Sequence, residues 1–209
     1  MKFKNILILA PHPDDAEFSS GGTLSRLIEE GKEVYYAVFS PCIKSLPEGM
    51  ETDRLYKEME RATFHLGIKP EHIFKFDFPV REFPKYRQDI LEELIKLKKQ
   101  LNPDLVLLPN SNDVHQDHHV MYEEGVRAFK TTRILGYELP WNNLVSVHNF
   151  FFNLERSHLD AKIKAIGEYK SQNFREYKES DYFYCLARTR GMQSKTEFAE
   201  AFELIKWIY

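Results

Sequence analysis

Three of the chain's eight histidines, His115, His118 and His119, fall within five residues, interleaved with Asp117 and preceded by Asp113. A fourth, His12, lies between two prolines and is followed by tandem carboxylates: Pro11-His12-Pro13-Asp14-Asp15. Adjacent carboxylates repel unless a proton or cation offsets them, and a divalent metal does so while taking imidazole and carboxylate as ligands. In the first stretch, His12 and one carboxylate suit ligation, and the other carboxylate suits activation of a water. In the second, His118 suits the metal and His115 is left for acid–base work. Asp117 would hydrogen-bond His115 and fix its tautomer. His119 would point elsewhere, because adjacent helical residues do not share a face. The structural alternative makes Asp14-Asp15 a helix N-cap and the second stretch a polar cap with solvated histidines. Finding His and Asp together at two strand exits weighs against it.

The elements that must position these residues are legible as an alternation. Ile6–Ala10 is a continuous apolar run, the pattern of a strand buried on both faces. A Gly21-Gly22 turn then leads into a helix over Thr23–Glu30, closed by Gly31. Val34–Phe39 reads as a strand, Asp53–His65 as a helix ending at Gly67, and Ile73–Phe78 as a third strand. An amphipathic helix over Gln88–Gln100 precedes the apolar strand Leu105–Leu108. A helix over His118–Phe129 and a strand over Ile134–Leu139 follow. The last third reads as a strand over Val147–Asn153, a helix over Ser157–Tyr169, an aromatic segment at Tyr182–Tyr184, and a run of open type over Phe198–Ile208. The pattern predicts an α/β fold: one Rossmann-like domain over residues 1–209, a mainly parallel sheet with helices on both faces in three layers. Ligands of such sheets bind beyond the carboxyl ends of the strands, where both histidine stretches fall.

Composition narrows the function classes. The 209 residues carry 29 Lys and Arg against 32 Asp and Glu, a formal charge of −3. That balance, without a basic run, disfavours gripping nucleic acid through its phosphates or docking on an anionic membrane. The N-terminal apolar run is too short for a signal peptide or a membrane anchor, and two isolated cysteines fit a reducing compartment, so a cytoplasmic location is expected. Pro-His-Pro-Asp-Asp after the first strand replaces the G-x-G-x-x-G of a dinucleotide site, which argues against an oxidoreductase. Two further segments are candidates for substrate contact. The N–H groups around Ser20 and Gly21 would hold a hydroxyl or an anionic group, or simply cap a helix. Trp141, with Asn142, Asn143 and Glu138 nearby, would stack on a sugar ring, or plug the edge of the core.

Pro11–Asp15, the Gly21-Gly22-Thr23 that follows, and His115-Gln116-Asp117-His118 resemble the signatures of the PIG-L/LmbE-like N-deacetylase family. Leu66-Gly67, Tyr169–Gln172 and Ala199–Phe202 resemble further landmarks, so the likeness spans nearly the whole chain. The resemblance implies a zinc-type site with His12, Asp15 and His118 as ligands. It implies Asp14 as general base, His115 assisting the oxyanion and the leaving amine, and Asp117 as the partner that orients His115. It also implies a substrate-contacting arginine on the helix before Leu66-Gly67: Arg54, with Arg61 as the other arginine there. The donor set suits Zn2+, and iron, cobalt or manganese would also fit. The implied substrate is a soluble N-acetylated sugar, as a glycoside or nucleotide sugar, and a homo-oligomer (trimer or hexamer) is an expectation of the same kind. Alternatives are a metal-dependent amidase acting on a non-sugar acyl amine or thiol conjugate, and a non-enzymatic sugar- or metal-binding module.

Overall fold

The computed structural model describes residues 3–172 and 180–208. Seven strands form one sheet in the order β3-β2-β1-β4-β5-β7-β6. The strands are β1 (Asn5–Ala10), β2 (Glu33–Val38), β3 (Ile73–Lys75), β4 (Leu105–Pro109), β5 (Arg133–Tyr137), β6 (Phe150–Leu154) and β7 (Phe198–Lys206). The first five run parallel, and β7 lies antiparallel to both β5 and β6. In register, Ile8 faces Tyr36 on one side and Leu107 on the other, so β1 and β4 are central neighbours.

Helices α1 (Asp15–Glu29), α2 (Arg54–Leu66) and α5 (Arg156–Gly167) cover one face; α3 (Arg87–Leu101) and α4 (Gln116–Ala128) cover the other; α6 (Ser180–Ser194) packs near β7. The continuous apolar strands explain the three layers. Along β1, Ile6, Ile8 and Ala10 enter the core under α1 and α2, while Leu7 and Leu9 enter the core under α3 and α4. β4 divides in the same way, Leu105 and Leu107 against Val106 and Leu108. A strand whose successive side chains are all apolar is stable only with a helical layer on each face.

The predicted helix boundaries shift in two places that matter. α1 begins at Asp15, with Ser19-Ser20-Gly21-Gly22 inside it rather than in a turn before it. These small residues let α5 and β6 approach: a Cβ on Gly21 would lie 2.9 Å from Lys162 Cγ, and one on Gly22 2.6 Å from Leu154 Cδ1. α4 begins at Gln116 with His115 as its N-cap, its ring nitrogen accepting the Asp117 N–H. The C-terminal run of open type becomes β7, inserted between β5 and β6. The aromatic segment Tyr182–Tyr184 lies in α6. No helix among the described residues is long and apolar enough to cross a membrane.

Candidate metal centre and active site

The loop after β1 and the loop after β4 leave the sheet side by side at its carboxyl edge. They meet over a cavity of about 210 Å³, lined by His12, Asp14, Asp15, His115, His118 and Trp141 among others. The parallel pairing of β1 with β4 brings these residues together across about 100 positions of sequence.

The closest convergence involves three atoms. His118 Nε2 lies 3.2 Å from His12 Nδ1 and 3.2 Å from Asp15 Oδ2, and His12 Nδ1 lies 3.3 Å from the same Asp15 oxygen. The outward nitrogens of both rings face carboxylates: His118 Nδ1 is 2.8 Å from Asp113 Oδ2, and His12 Nε2 is 2.9 Å from Asp117 Oδ2. A carboxylate fixes the N–H on the nitrogen it faces, so the inward nitrogens present lone pairs. Three lone-pair atoms pressed this close, and buried, repel unless a proton or a metal cation lies among them. Their triangle is also the face of a tetrahedron whose centre is about 2.0 Å from each vertex, the bond length of a small divalent metal with nitrogen and oxygen ligands. The donor set therefore fits such an ion.

The electrostatics agree. Burial pulls the His118 imidazole down, but Asp15 and Asp113 outweigh it and hold its pKa up at about 10. His12 is raised as well, burial being outweighed by Asp117 and Asp15. Although burial opposes it, the neighbouring imidazoles hold Asp15 far below the usual carboxylate range. The negative potential that favours protons here favours a metal cation too.

His12, His115 and His118 also bring ring nitrogens within 4.8 Å of one another, which makes His115 a geometric rival to Asp15 as ligand. Its hydrogen bond separates the roles. His115 Nδ1 accepts the Asp117 N–H at 3.2 Å, so in the neutral ring the proton sits on Nε2, which is then a donor. Burial first, then the charges of His118 and His12, hold the His115 pKa down at about 4. At neutral pH it is a hydrogen-bond donor without charge.

Asp14 caps α1 in the left-handed region, at φ 93° and ψ −29°. That conformation is costly for a residue with a Cβ, and Asp and Asn tolerate it best. It leaves Asp15 as the first residue of α1, where the helix dipole favours a carboxylate, and keeps Asp14 in the cavity wall.

Several sequence-based placements need correction. The Asp117 carboxylate faces His12 and also accepts the N–H groups of Arg81 (2.6 Å) and Phe83 (3.2 Å), so Asp117 meets His115 through its backbone N–H and not through its carboxylate. Ser20 and Gly21 are buried within α1 and are not among the residues lining the cavity. The N–H groups of neighbouring Gly22 and Thr23 donate to Glu200, which is paired with buried Lys162 at 2.6 Å, so they are not offered to a ligand. Arg54 donates to Glu58, whose carboxylate also holds Ser171, and Arg61 donates to Glu168; neither arginine lines the cavity. Trp141 does line it, its ring edge-to-face with Phe18 at 5.6 Å. His119 is exposed beside Glu123. Two residues given no role in the sequence reading belong to the site: Asp113 on His118, and Arg81, which lines the cavity. Asp113 had one signal, as a second carboxylate in a cluster with two inward-facing imidazoles. Arg81 had none, being far from both motifs in sequence.

Residues 7–129 match the sequence profile of the PIG-L family, described as GlcNAc-PI de-N-acetylase. The chain is 24% identical to diacetylchitobiose deacetylase of Thermococcus kodakarensis, over 99% of this chain and 85% of that protein. It is 25% identical to a probable N-acetyl-alpha-D-glucosaminyl L-malate deacetylase of Bacillus cereus, over 81% of this chain and 84% of that one. Among solved structures, N,N'-diacetylchitobiose deacetylase from Pyrococcus horikoshii, complexed with an inhibitor, superposes with a TM-score of 0.82. It covers 97% of this chain and 84% of that one at 21% identity, which establishes a shared fold.

Proposed function

The chain belongs to the PIG-L family of de-N-acetylases, and on that premise we propose that it is a zinc-dependent hydrolase that removes the acetyl group from an N-acetylated sugar. The observation that carries the reading is the triangle of His12 Nδ1, Asp15 Oδ2 and His118 Nε2, with Asp14 and His115 in the same cavity wall. Two histidines and one carboxylate are a donor set of catalytic zinc sites, and Asp113 and Asp117 behind the imidazoles match the carboxylate support such sites use. Bound there, zinc supplies a Lewis acid and a water whose pKa falls toward about 7.

The chain's own residues do the rest. Trp141 lines the cavity and is the aromatic residue on which the sugar ring would pack. Asp14, as general base, takes the proton from the attacking water. His115 donates its Nε2–H to the acyl oxygen as negative charge develops there, a preorganised donor that need not change protonation state. Since the low His115 pKa leaves the ring neutral, with no acidic imidazolium proton to give up at neutral pH, the leaving amine receives its proton from Asp14. The C–N bond breaks, and acetate and the amino sugar depart.

The test is acetate release by purified protein, stripped with a chelator and reloaded with zinc, iron, cobalt or manganese. The panel holds N-acetylglucosamine glycosides, N-acetylglucosamine phosphates, nucleotide sugars and non-sugar acetamides. Metal-dependent release from the sugars and not from simple acetamides is expected. Release from the acetamides alone, or none with any metal, overturns the reading. The metal that restores the highest turnover decides whether zinc is the right assignment.

A further inference from the structure

Arg81 occupies a position where glycine would be easier. Its φ is 66°, in the left-handed region, which carries a strain of order 1 kcal/mol for a residue with a Cβ and none for glycine. The conformation is held by the contact already described, the Arg81 N–H on Asp117 Oδ2, and Asp117 in turn holds His12. Backbone geometry alone would be served better by glycine, so the arginine side chain needs its own explanation.

That side chain lines the cavity and, among the described residues, is the one lysine or arginine that does so. Its Nη2 donates to the Lys44 carbonyl at 3.0 Å, a neutral acceptor. No carboxylate among the described residues lies within ion-pair distance of it. The adjacent carboxylate, Glu82, is engaged by Lys44 and Lys85. A guanidinium has five N–H donors in a planar fork suited to two oxygens of one anion, and here most of them are uncommitted beside a reaction cavity.

We propose that Arg81 is a specificity-determining residue that selects N-acetylated sugars carrying an anionic group, a carboxylate or a phosphate, on the part of the substrate that points out of the cavity. The inference rests on the deacetylase reading and adds the charge of the substrate's second moiety. A neutral oligosaccharide gains nothing from the guanidinium, whereas an anionic group pairs with it without displacing an existing salt bridge. The same pairing is felt equally by substrate and transition state, since the anion takes no part in the bonds made and broken at the acetamide, so its effect falls on KM.

The experiment compares three substrates with one sugar: the methyl glycoside of N-acetylglucosamine, its carboxymethyl glycoside, and N-acetylglucosamine 1-phosphate. Wild type is expected to favour at least one anionic substrate in kcat/KM, and whichever it favours identifies carboxylate or phosphate as the ligand. Arg81→Gly accepts the same backbone conformation and keeps the N–H on Asp117, so its thermal unfolding checks that the fold is retained. In that variant the ratio of anionic to neutral kcat/KM should fall about 10–100-fold through KM, the range for a charged hydrogen bond. Arg81→Lys should recover part of the ratio. An unchanged ratio overturns the proposal, as does a wild-type preference for the neutral glycoside. If no substrate releases acetate, the deacetylase reading fails separately. Calorimetric binding of glucosamine 1-phosphate and the carboxymethyl glycoside of glucosamine then decides: equal affinity for wild type and Arg81→Gly overturns the proposal, and an affinity loss of the same size supports it.

Discussion

Asp117 Oδ2 lies 2.9 Å from His12 Nε2, a partner 105 residues away, although His115 is in its own motif. The contact ties the two histidine stretches into one unit. It also completes a symmetry: each inward-facing imidazole has its own carboxylate behind it, Asp117 for His12 and Asp113 for His118.

These carboxylates should control metal affinity. Asp113→Asn keeps an oxygen for the His115 N–H that Asp113 Oδ1 accepts at 2.9 Å, so the loop is preserved while the charge behind His118 is lost. The dissociation constant for zinc is expected to rise about 10–100-fold, the usual cost of removing such a partner. Competition with a chromogenic chelator measures it, and an unchanged constant would remove Asp113 from the site.

Asp14 combines two constraints, chemical and conformational. Asp14→Asn leaves a residue at ease in the left-handed region but removes the proposed base, so turnover should fall roughly 10²–10⁴-fold with metal still bound. Asp14→Ala loses the proposed base equally but fits the backbone less well. It should unfold about 1 kcal/mol more easily than Asp14→Asn in urea. Equal stability of the two variants would show that the φ of 93° carries no strain.

What could be read in the sequence, and what could not, follows from the range of the interactions. The runs Ile6–Ala10 and Leu105–Leu108 announce central strands because each must bury both faces. Two histidine clusters at their exits then meet by topology, which is why His12, Asp14, Asp15, His115 and His118 line one cavity. The direction of Asp117 was not legible, since it depends on residues 81–83 crossing over from β3 to offer their N–H groups. The Gly21-Gly22 pair misled because glycine marks turns and close helix contacts alike, and only the position of Lys162 and Leu154 decides between them. Arg81 joined the site by the same crossing that turned Asp117.

Removing the metal should make stability fall as pH rises. The His118 pKa is raised to about 10 in the folded chain against an ordinary 6.5, so its proton stabilises the fold fully below about pH 6.5, and that stability is lost as pH climbs through 10. Glu17, buried under the site, acts in the same direction: burial raises its pKa to about 7 from 4.5, and its contribution fades between those values. The chelated protein should therefore melt at lower temperature at pH 9.5 than at pH 6.5. The zinc-loaded protein should lose this trend, because metal replaces the proton between the ligands, and zinc uptake should release protons into the buffer. Calorimetry in two buffers of different ionisation enthalpy measures that release, and a chelated protein more stable at the higher pH would contradict the assignment.

His115 gives the sharpest test of the proposed chemistry, since its role rests on being neutral. Asn is itself a favoured N-cap, so His115→Asn retains an acceptor for the Asp117 N–H and should preserve α4. It loses the Nε2–H proposed as donor to the acyl oxygen, and turnover should drop about 10²–10³-fold, the cost of one oxyanion donor. With burial and two neighbouring imidazoles holding its pKa at about 4, His115 does not titrate between pH 5 and 8. The pH profile of kcat/KM over that range should thus keep its shape in His115→Asn while its scale falls. A limb near pH 6–7 that is present in wild type and vanishes in the variant would mean that His115 works as a charged acid. The amine proton would then come from the imidazole, and Asp14 would be left as base alone.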